Sequence, residues 1–196
     1  MKKLVIIDNG HGAETPGKCS PDGRLREWQW TRLVGRHLAA ALAEKGIESR
    51  ILVPEDSDIP LRERCRRANS IAAKNPGAVL ISLHSNASTA GGAWGNASGW
   101  SAFIANNASA ASEALASALF RRAAEAGIPG NRSTPPCGFN RASLAICRDT
   151  RCPAVLTENM FHDNRADVGF MLSEEGIATI VRVHADGIAD YFNQSR

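Results

Sequence analysis

Apolar and polar positions follow two rhythms along this chain, and three of the apolar runs stop at a residue equipped for chemistry. Residues 78–83 (AVLISL) are apolar except for Ser82, follow a Pro76-Gly77 turn, and lead directly into His84, Ser85 and Asn86. A run of this kind reads as a strand buried on both faces. Residues 4–7 form a second strand, which turns out through Asp8-Asn9-Gly10-His11-Gly12. The glycines flanking His11 let the backbone bend tightly and leave the imidazole unshielded. Residues 154–157 form a third strand, ending at Glu158-Asn159. In an open α/β sheet the residues past the carboxyl ends of strands line the ligand crevice. His11, His84 and Glu158 therefore belong along one edge. Shorter strands are expected at residues 49–53, 99–104 and 143–147.

Between the strands the period changes to that of a helix. Trp30, Val34, Leu38 and Leu42 mark the inward stripe of a helix over residues 24–45, closed by Gly46. Glu27 precedes Trp30 by three residues and Val34 by seven, so it faces the core in the first turn, near where His11 emerges. A carboxylate there either offsets the helix dipole or answers an interior partner. A second helix is expected over residues 58–74, with Asp58 as cap and Pro60 in the first turn. Its Arg62, Arg64, Arg66 and Arg67 read as a solvated face. A third runs from an Asn107 cap to Ala126, with Gly127 as its stop. A fourth spans residues 174–192, with Ile177, Val181, Ile188 and Phe192 inward.

His184 falls on that last stripe and reads as a satisfied core histidine. His37 lies on the first helix and His162 in a loop; neither sits at a strand end, so both stay outside the site. Residues 87–98, which hold Trp94, and residues 127–142 are long loops of the kind that rim a substrate site. The alternation predicts one three-layer α/β domain over residues 1–196, a mainly parallel sheet of about six strands with helices on both faces.

Composition narrows the partners. A chain of 196 residues with a net charge of +3 and no basic run interleaved with aromatics gives no sign of nucleic-acid binding. No apolar run approaches the ~20 residues of a membrane span. The opening MKKLVIIDNGHG breaks at Asp8, too early for a signal peptide. The sequence therefore reads as made in the cytoplasm and released, or as lacking its leader. Five cysteines without a CxxC spacing read as free thiols.

His11, His84, Glu27 and Glu158 converge in this reading, and two imidazoles with one carboxylate are the ligand set of many catalytic zinc sites, which keep a fourth position open for water. A further carboxylate within reach of that water serves as its base. IIDNGHG, the lone Glu27 at a helix start, LRERCRRAN, LISLHSNAS and PAVLTENMFHDNRAD occur in this chain in that order. Together they resemble the zinc-dependent N-acetylmuramoyl-L-alanine amidases, and within them the catalytic-domain family of cell-division amidases, sporulation amidases and phage lysins. The resemblance runs from about residue 3 to residue 192. It departs at Asn9, where the family has proline; at Val53-Pro54-Glu55, where a Thr-Arg pair is common; and at Asn159, where glycine is usual.

The resemblance implies a zinc ion held by His11, Glu27 and His84, with Glu158 as the catalytic carboxylate. It implies hydrolysis of the amide between N-acetylmuramic acid and L-alanine in peptidoglycan or muropeptides at the bacterial cell wall. Asn86 and Arg148 are candidate substrate contacts, Arg148 through a stem-peptide carboxylate. A zinc peptidase or deacetylase acting on another amide is the alternative enzyme, and a silent wall-binding module the alternative of another class. Some relatives carry an extra helix that plugs the site. No helical stripe is left over here, so no obligatory activator protein is expected.

Overall fold

The apolar runs become strands wherever helices cover both of their faces. The computed structural model describes residues 3–89, 92–131 and 133–194. Its strands are β1 (Leu4–Asn9), β2 (Glu48–Ile51), β3 (Ala78–Asn86), β4 (Trp100–Ile104), β5 (Phe139–Arg141) and β6 (Ala154–Phe161). The helices are α1 (Glu27–Glu44), α2 (Leu61–Lys74), α3 (Ala110–Glu125), α4 (Ala145–Arg148), α5 (Arg165–Leu172) and α6 (Glu174–Gln194). The six strands form a single sheet in the order β2-β1-β3-β6-β4-β5. The first four are parallel, while β4 meets β6 antiparallel and pairs in parallel with β5.

Alternate residues of each strand feed two cores. Val5, Ile7, Ile81, Leu83 and Val155 pack with the stripes of α1, α3 and α6, including Trp30, Val34, Leu38 and Leu42. Leu4, Ile6, Leu80 and Leu156 face the other way, toward Cys65 and Ala68 of α2 and Ile146 of α4. These are the expected three layers. His184 is fully buried, with Nε2 3.0 Å from Thr157 Oγ1 and Nδ1 2.8 Å from Ile180 O, a satisfied core histidine as expected. The five cysteines are free thiols. Among the described residues no helix is long and apolar enough to cross a membrane.

Local chemistry moved several boundaries. Helix α1 starts at Glu27 rather than at residue 24, because Cys19 and Arg26 form an isolated antiparallel bridge just before it. Asp58 does not cap α2. Pro60 occupies that position, and the Asp58 carboxylate turns to Thr15 and Arg64. Ser109, not Asn107, caps α3, its Oγ accepting from Ser112 N. Residues 143–147 contain the start of the one-turn helix α4 instead of a strand. An apolar run that short fits either form. The predicted loop 127–142 contains β5, and α5 was unforeseen, although Asn164 caps it through bonds from Ala166 N and Asp167 N. Strand β6 continues to Phe161, so Glu158 lies within the strand and not past its end.

The largest correction concerns the arginines of α2. Arg64 is only 2% exposed. Its guanidinium donates to Asp8 Oδ1 at 2.9 Å, Asn9 O at 2.5 Å, His11 O at 3.0 Å, Asp58 Oδ1 at 3.2 Å and Ile59 O at 2.7 Å. Asp8, also buried, takes a second bond from Ser82 Oγ at 2.6 Å. Arg66, by contrast, is exposed and among the described residues bonds only Glu63, one turn away. Removing one partner of a buried ion pair costs about 3–5 kcal/mol, whereas exposed pairs are worth roughly 0–1 kcal/mol. Arg64→Ala should therefore lower the unfolding free energy by about 3–5 kcal/mol in denaturant titration and Arg66→Ala by less than about 1 kcal/mol. Equal losses would refute the interior role of Arg64.

Candidate metal centre

Three backbone devices bring the donors together. Gly10 continues β1 by donating its N–H to Leu83 O at 3.0 Å. A Cβ at Gly10 would stand 2.5 Å from the His84 ring, and one at Gly12 would stand 2.1 Å from Asp58 N. Only glycine fits at either place. Between them His11 adopts φ +58, a left-handed conformation that a non-glycine residue holds only when its surroundings enforce it. The enforcement is visible, since His11 O accepts from Arg32 Nη2 at 3.1 Å and from Arg64 Nη2 at 3.0 Å.

Glu27 opens α1 and is fully buried. Its Oε1 lies 3.1 Å from His84 Nδ1 and 3.5 Å from His11 Nε2, and accepts from Ser85 N at 2.9 Å. The two imidazoles meet edge to face with centroids 4.9 Å apart. One donor atom from each of His11, Glu27 and His84 lies within 4.8 Å of the others, an arrangement able to hold a metal ion. Glu27 Oε2 is buried with no hydrogen-bond partner among the described residues. A buried carboxylate oxygen left free beside two imidazoles fits a cation, because such an atom is otherwise costly to desolvate.

The field of the site sorts its groups. Burial would raise Glu27, but the hydrogen-bonded His84, His11 and the Ser85 N–H outweigh it and hold the carboxyl at about 2. Burial takes His11 down to about 4, against the pull of Glu27 and with the push of His84, so it is neutral and ready to ligate at physiological pH. His84 ends above its ordinary 6.5: burial opposes the proton, but Glu27, Glu158 and Asp8 favour it more strongly.

Glu158 sits on β6 in register with His84 on β3, so the two side chains emerge on the same face. It is raised to about 7, first by burial and also by Glu27, with His84 and Lys18 opposing. Its Oε2 also lacks a hydrogen-bond partner among the described residues. His11, His84 and Glu158 share a pocket of about 520 Å³ with Asp58, Leu144 and Ile146. The side chains of His11 and His84 keep 19% and 16% of their surface exposed, so the pocket opens to solvent.

Two further sequence expectations resolve differently. His162, left outside the site, is buried beside it, with Nδ1 2.9 Å from Ser85 Oγ and 3.8 Å from Glu27 Oε2. The signal that could have found it was its place after the third strand, the same rule that singled out Glu158. Arg148 is exposed on α4, paired through Nε and Nη2 with Asp149 and through Nη1 with Ser143, and it does not line the pocket. Asn86 follows His84 by two residues and lines an adjoining cleft.

Donors gathered at the mouth of an open α/β sheet, with a second carboxylate beside them, give the chain a possible metal site of the kind found in hydrolase catalytic domains. The family model described as N-acetylmuramoyl-L-alanine amidase matches residues 5–190, and the chain belongs to that family. It is 27% identical over 195 residues to the endolysin of Bacillus phage SPP1, covering 98% of this chain and 67% of that protein. It is 29% identical over 194 residues to the N-acetylmuramoyl-L-alanine amidase CwlM of Bacillus licheniformis, covering 98% and 70%. The chain thus spans about two thirds of these relatives. In fold it is similar to the crystal structure of the N-acetylmuramoyl-L-alanine amidase from Clostridium difficile 630, with a TM-score of 0.86, 23% identity and coverage of 100% and 99%. The protein is a hydrolase of the amide bond between N-acetylmuramic acid and L-alanine in peptidoglycan.

Metal uptake at such a site competes with protons. Glu27 is ionised and His11 neutral well below neutrality, so the proton to be displaced from the donor set sits on His84, whose affinity for it is raised. Apparent zinc affinity should therefore rise with pH, continue to rise above the ordinary histidine value of 6.5, and level off once His84 is neutral. Calorimetric titration of the metal-free protein in buffers of different ionisation enthalpy measures the proton released. His84→Ala should abolish both the uptake and the proton release; full zinc content in that variant would refute the donor set.

Proposed function

We propose that the chain is a zinc-dependent amidase in which His11, Glu27 and His84 hold one ion and Glu158 moves the protons. The observation that carries this reading is the placement of two buried carboxylates, Glu27 among the clustered donors and Glu158 in register with His84 on the adjacent strand, each with an oxygen lacking a partner among the described residues. Glu27 is held at about 2 among the donors, while Glu158 is pushed up to about 7 on the adjacent strand. Carboxylates driven apart by their surroundings take different roles, one a permanent charge and the other an acid–base group. A zinc ion bound there would polarise the scissile carbonyl and acidify a water molecule near neutrality.

Glu158 then has one task in two directions. It takes a proton from the attacking water at its unpartnered oxygen and delivers one to the departing alanine nitrogen. The carbon–nitrogen bond breaks, leaving a lactyl carboxylate on the sugar and a free α-amine on the peptide. Positive charge placed between His11 and His84 lowers Glu158 from about 7, which favours the ionised base form at neutral pH. The solvent-open pocket supports an enzyme that needs no partner to uncover it, and the family supports action at the bacterial cell wall.

Purified protein loaded with zinc and mixed with peptidoglycan, with no other protein present, should release material bearing new L-alanine amino termini. Released acetate, or a cut within the peptide, would favour a deacetylase or peptidase instead. An inert chain rescued by a second protein would overturn the partner-free reading.

The two carboxylates can be separated by substitution. Glu158→Gln should keep its zinc and fold yet lose about 10²–10⁴ in turnover, the usual share of a general acid–base group. Glu27→Gln should lose zinc as well as activity. Zinc content and turnover measured side by side decide the matter. A Glu158→Gln protein with near-normal turnover would place the base elsewhere.

A further inference from the structure

The catalytic pocket has a neighbour of different character. A cleft of about 890 Å³, within the size range of ligand pockets, lies alongside it over the ends of β3 and β6 and against β4 and β5. Asn86 of this cleft stands two residues beyond His84 on β3, about 7 Å along the strand and facing the same way. Phe161, its partner in register on β6, stands three residues beyond Glu158. The cleft thus begins where the catalytic groups end.

Its described lining is rich in amides and holds no charged side chain. Asn86, Asn96, Asn131 and Asn140 contribute amides, Phe103 and Phe161 contribute rings, and no Asp, Glu, Lys, Arg or His is among the described lining residues. The side chains of Asn96 and Asn140 make no hydrogen bond to any described residue, so their donors and acceptors are available. The catalytic pocket differs sharply, being lined by Asp8, Asp58, Arg64 and Glu158 besides its histidines.

The lip of the cleft is fastened down. Buried Asp163 Oδ2 accepts from Ser88 N at 2.7 Å, Ser88 Oγ at 3.0 Å, Thr89 N at 2.7 Å and Thr89 Oγ1 at 2.9 Å. Gly95 N donates to Asp163 O at 2.7 Å, Asn164 Nδ2 to Ala97 O at 3.0 Å, and Ser98 Oγ to Asp167 Oδ1 at 2.6 Å. The Arg165 guanidinium lies 4.2 Å over the Trp94 ring. A lip held at this many points loses little freedom when a ligand arrives, which is how preorganisation favours binding.

We propose that this cleft seats the uncharged glycan strand flanking the muramoyl residue. The stem peptide, with its ionised groups, then lies along the charged catalytic pocket. Sugar hydroxyls and acetamido groups match free amides as donors and acceptors, and the apolar faces of pyranose rings suit Phe103 and Phe161. A carboxylate or ammonium buried here would find no counter-charge among the described lining, which is a costly exchange for water. The assignment rests on the amidase reading and extends it from the scissile bond to the polymer.

The test separates the two. A peptide-free N-acetylglucosamine tetrasaccharide titrated into the zinc-loaded protein should perturb the NMR resonances of Asn96, Asn140 and Phe161. Asn96→Ala/Asn140→Ala should weaken that binding by about tenfold or more, as loss of two hydrogen-bonding amides implies. Its melting temperature should stay near that of the parent, because neither side chain bonds any described residue. The same variant should raise KM for glycan-bearing peptidoglycan. Sugar that fails to bind, binds elsewhere, or binds the variant equally well would overturn the cleft assignment, as would a free stem peptide that perturbs these residues in its place. Sugar binding in a protein that cuts no muramoyl–alanine amide would overturn the amidase reading and leave the cleft a saccharide site.

Discussion

An arginine enclosed in protein must find an oxygen for each N–H it turns inward, and Arg64 does so by gathering five acceptors from three segments. Those acceptors belong to the end of β1, to the glycine turn that follows it, and to the segment ahead of α2. With the guanidinium at their centre they cannot drift apart without exposing a buried charge. Arg32 closes the same turn from α1, donating to His11 O and Glu55 O. The left-handed His11 is thus the product of two arginines on different helices. The imidazole reaches Glu27 and His84 because the backbone beneath it has been given no other resting place.

From that anchoring the charge distribution of the face follows. Glu27, ringed by imidazoles and a backbone N–H, is ionised at all working pH values, whereas Glu158 on the next strand is pushed to where it can exchange protons near neutrality. The site is therefore asymmetric before any substrate arrives, with fixed charge on the α1 side and titratable charge on the β6 side. Beyond both, the described lining of the adjoining cleft is polar without being charged. A polymer that is neutral along one branch and ionised along the other meets a surface divided in the same manner.

The sheet, and the convergence of His11, Glu27 and His84 at one edge, were readable in the sequence because the strands and helix that carry them rest on long, uniform patterns. The runs at residues 4–7, 78–83 and 154–157, and the four-residue spacing from Trp30 to Leu42, leave little choice of element. The polar residues that follow those runs are forced to the edge. Arg64 was not readable, because its neighbours Arg62, Arg66 and Arg67 share its local composition. What distinguishes it is a set of acceptors brought from residues 8 to 59 by the fold. Residues 143–147 and β5 were too short for either period to declare itself. Glu158 was assigned to the site but placed past its strand, since nothing in the pattern shows that pairing continues to Phe161. His162 was missed for a related reason, a shift in register that apolar spacing does not record.

That shift lies between the pairs His84–Glu158 and Asn86–Phe161, where β6 carries one residue more than β3 and Met160 turns to φ +67. A strand counts in twos, and an extra residue changes its parity for everything downstream. Up to Glu158 the even-numbered residues of β6 face α2; past Met160 the odd-numbered Phe161 takes that side. His162 is thereby sent through the sheet to Ser85 and Glu27. Were β6 to pair straight through without the bulge, Met160 would stand opposite Asn86 and the two would exchange, placing an imidazole on the cleft side and a phenyl ring against the buried carboxylate. One unpaired residue thus keeps the aromatic floor of one chamber and the imidazole support of the other on their proper sides.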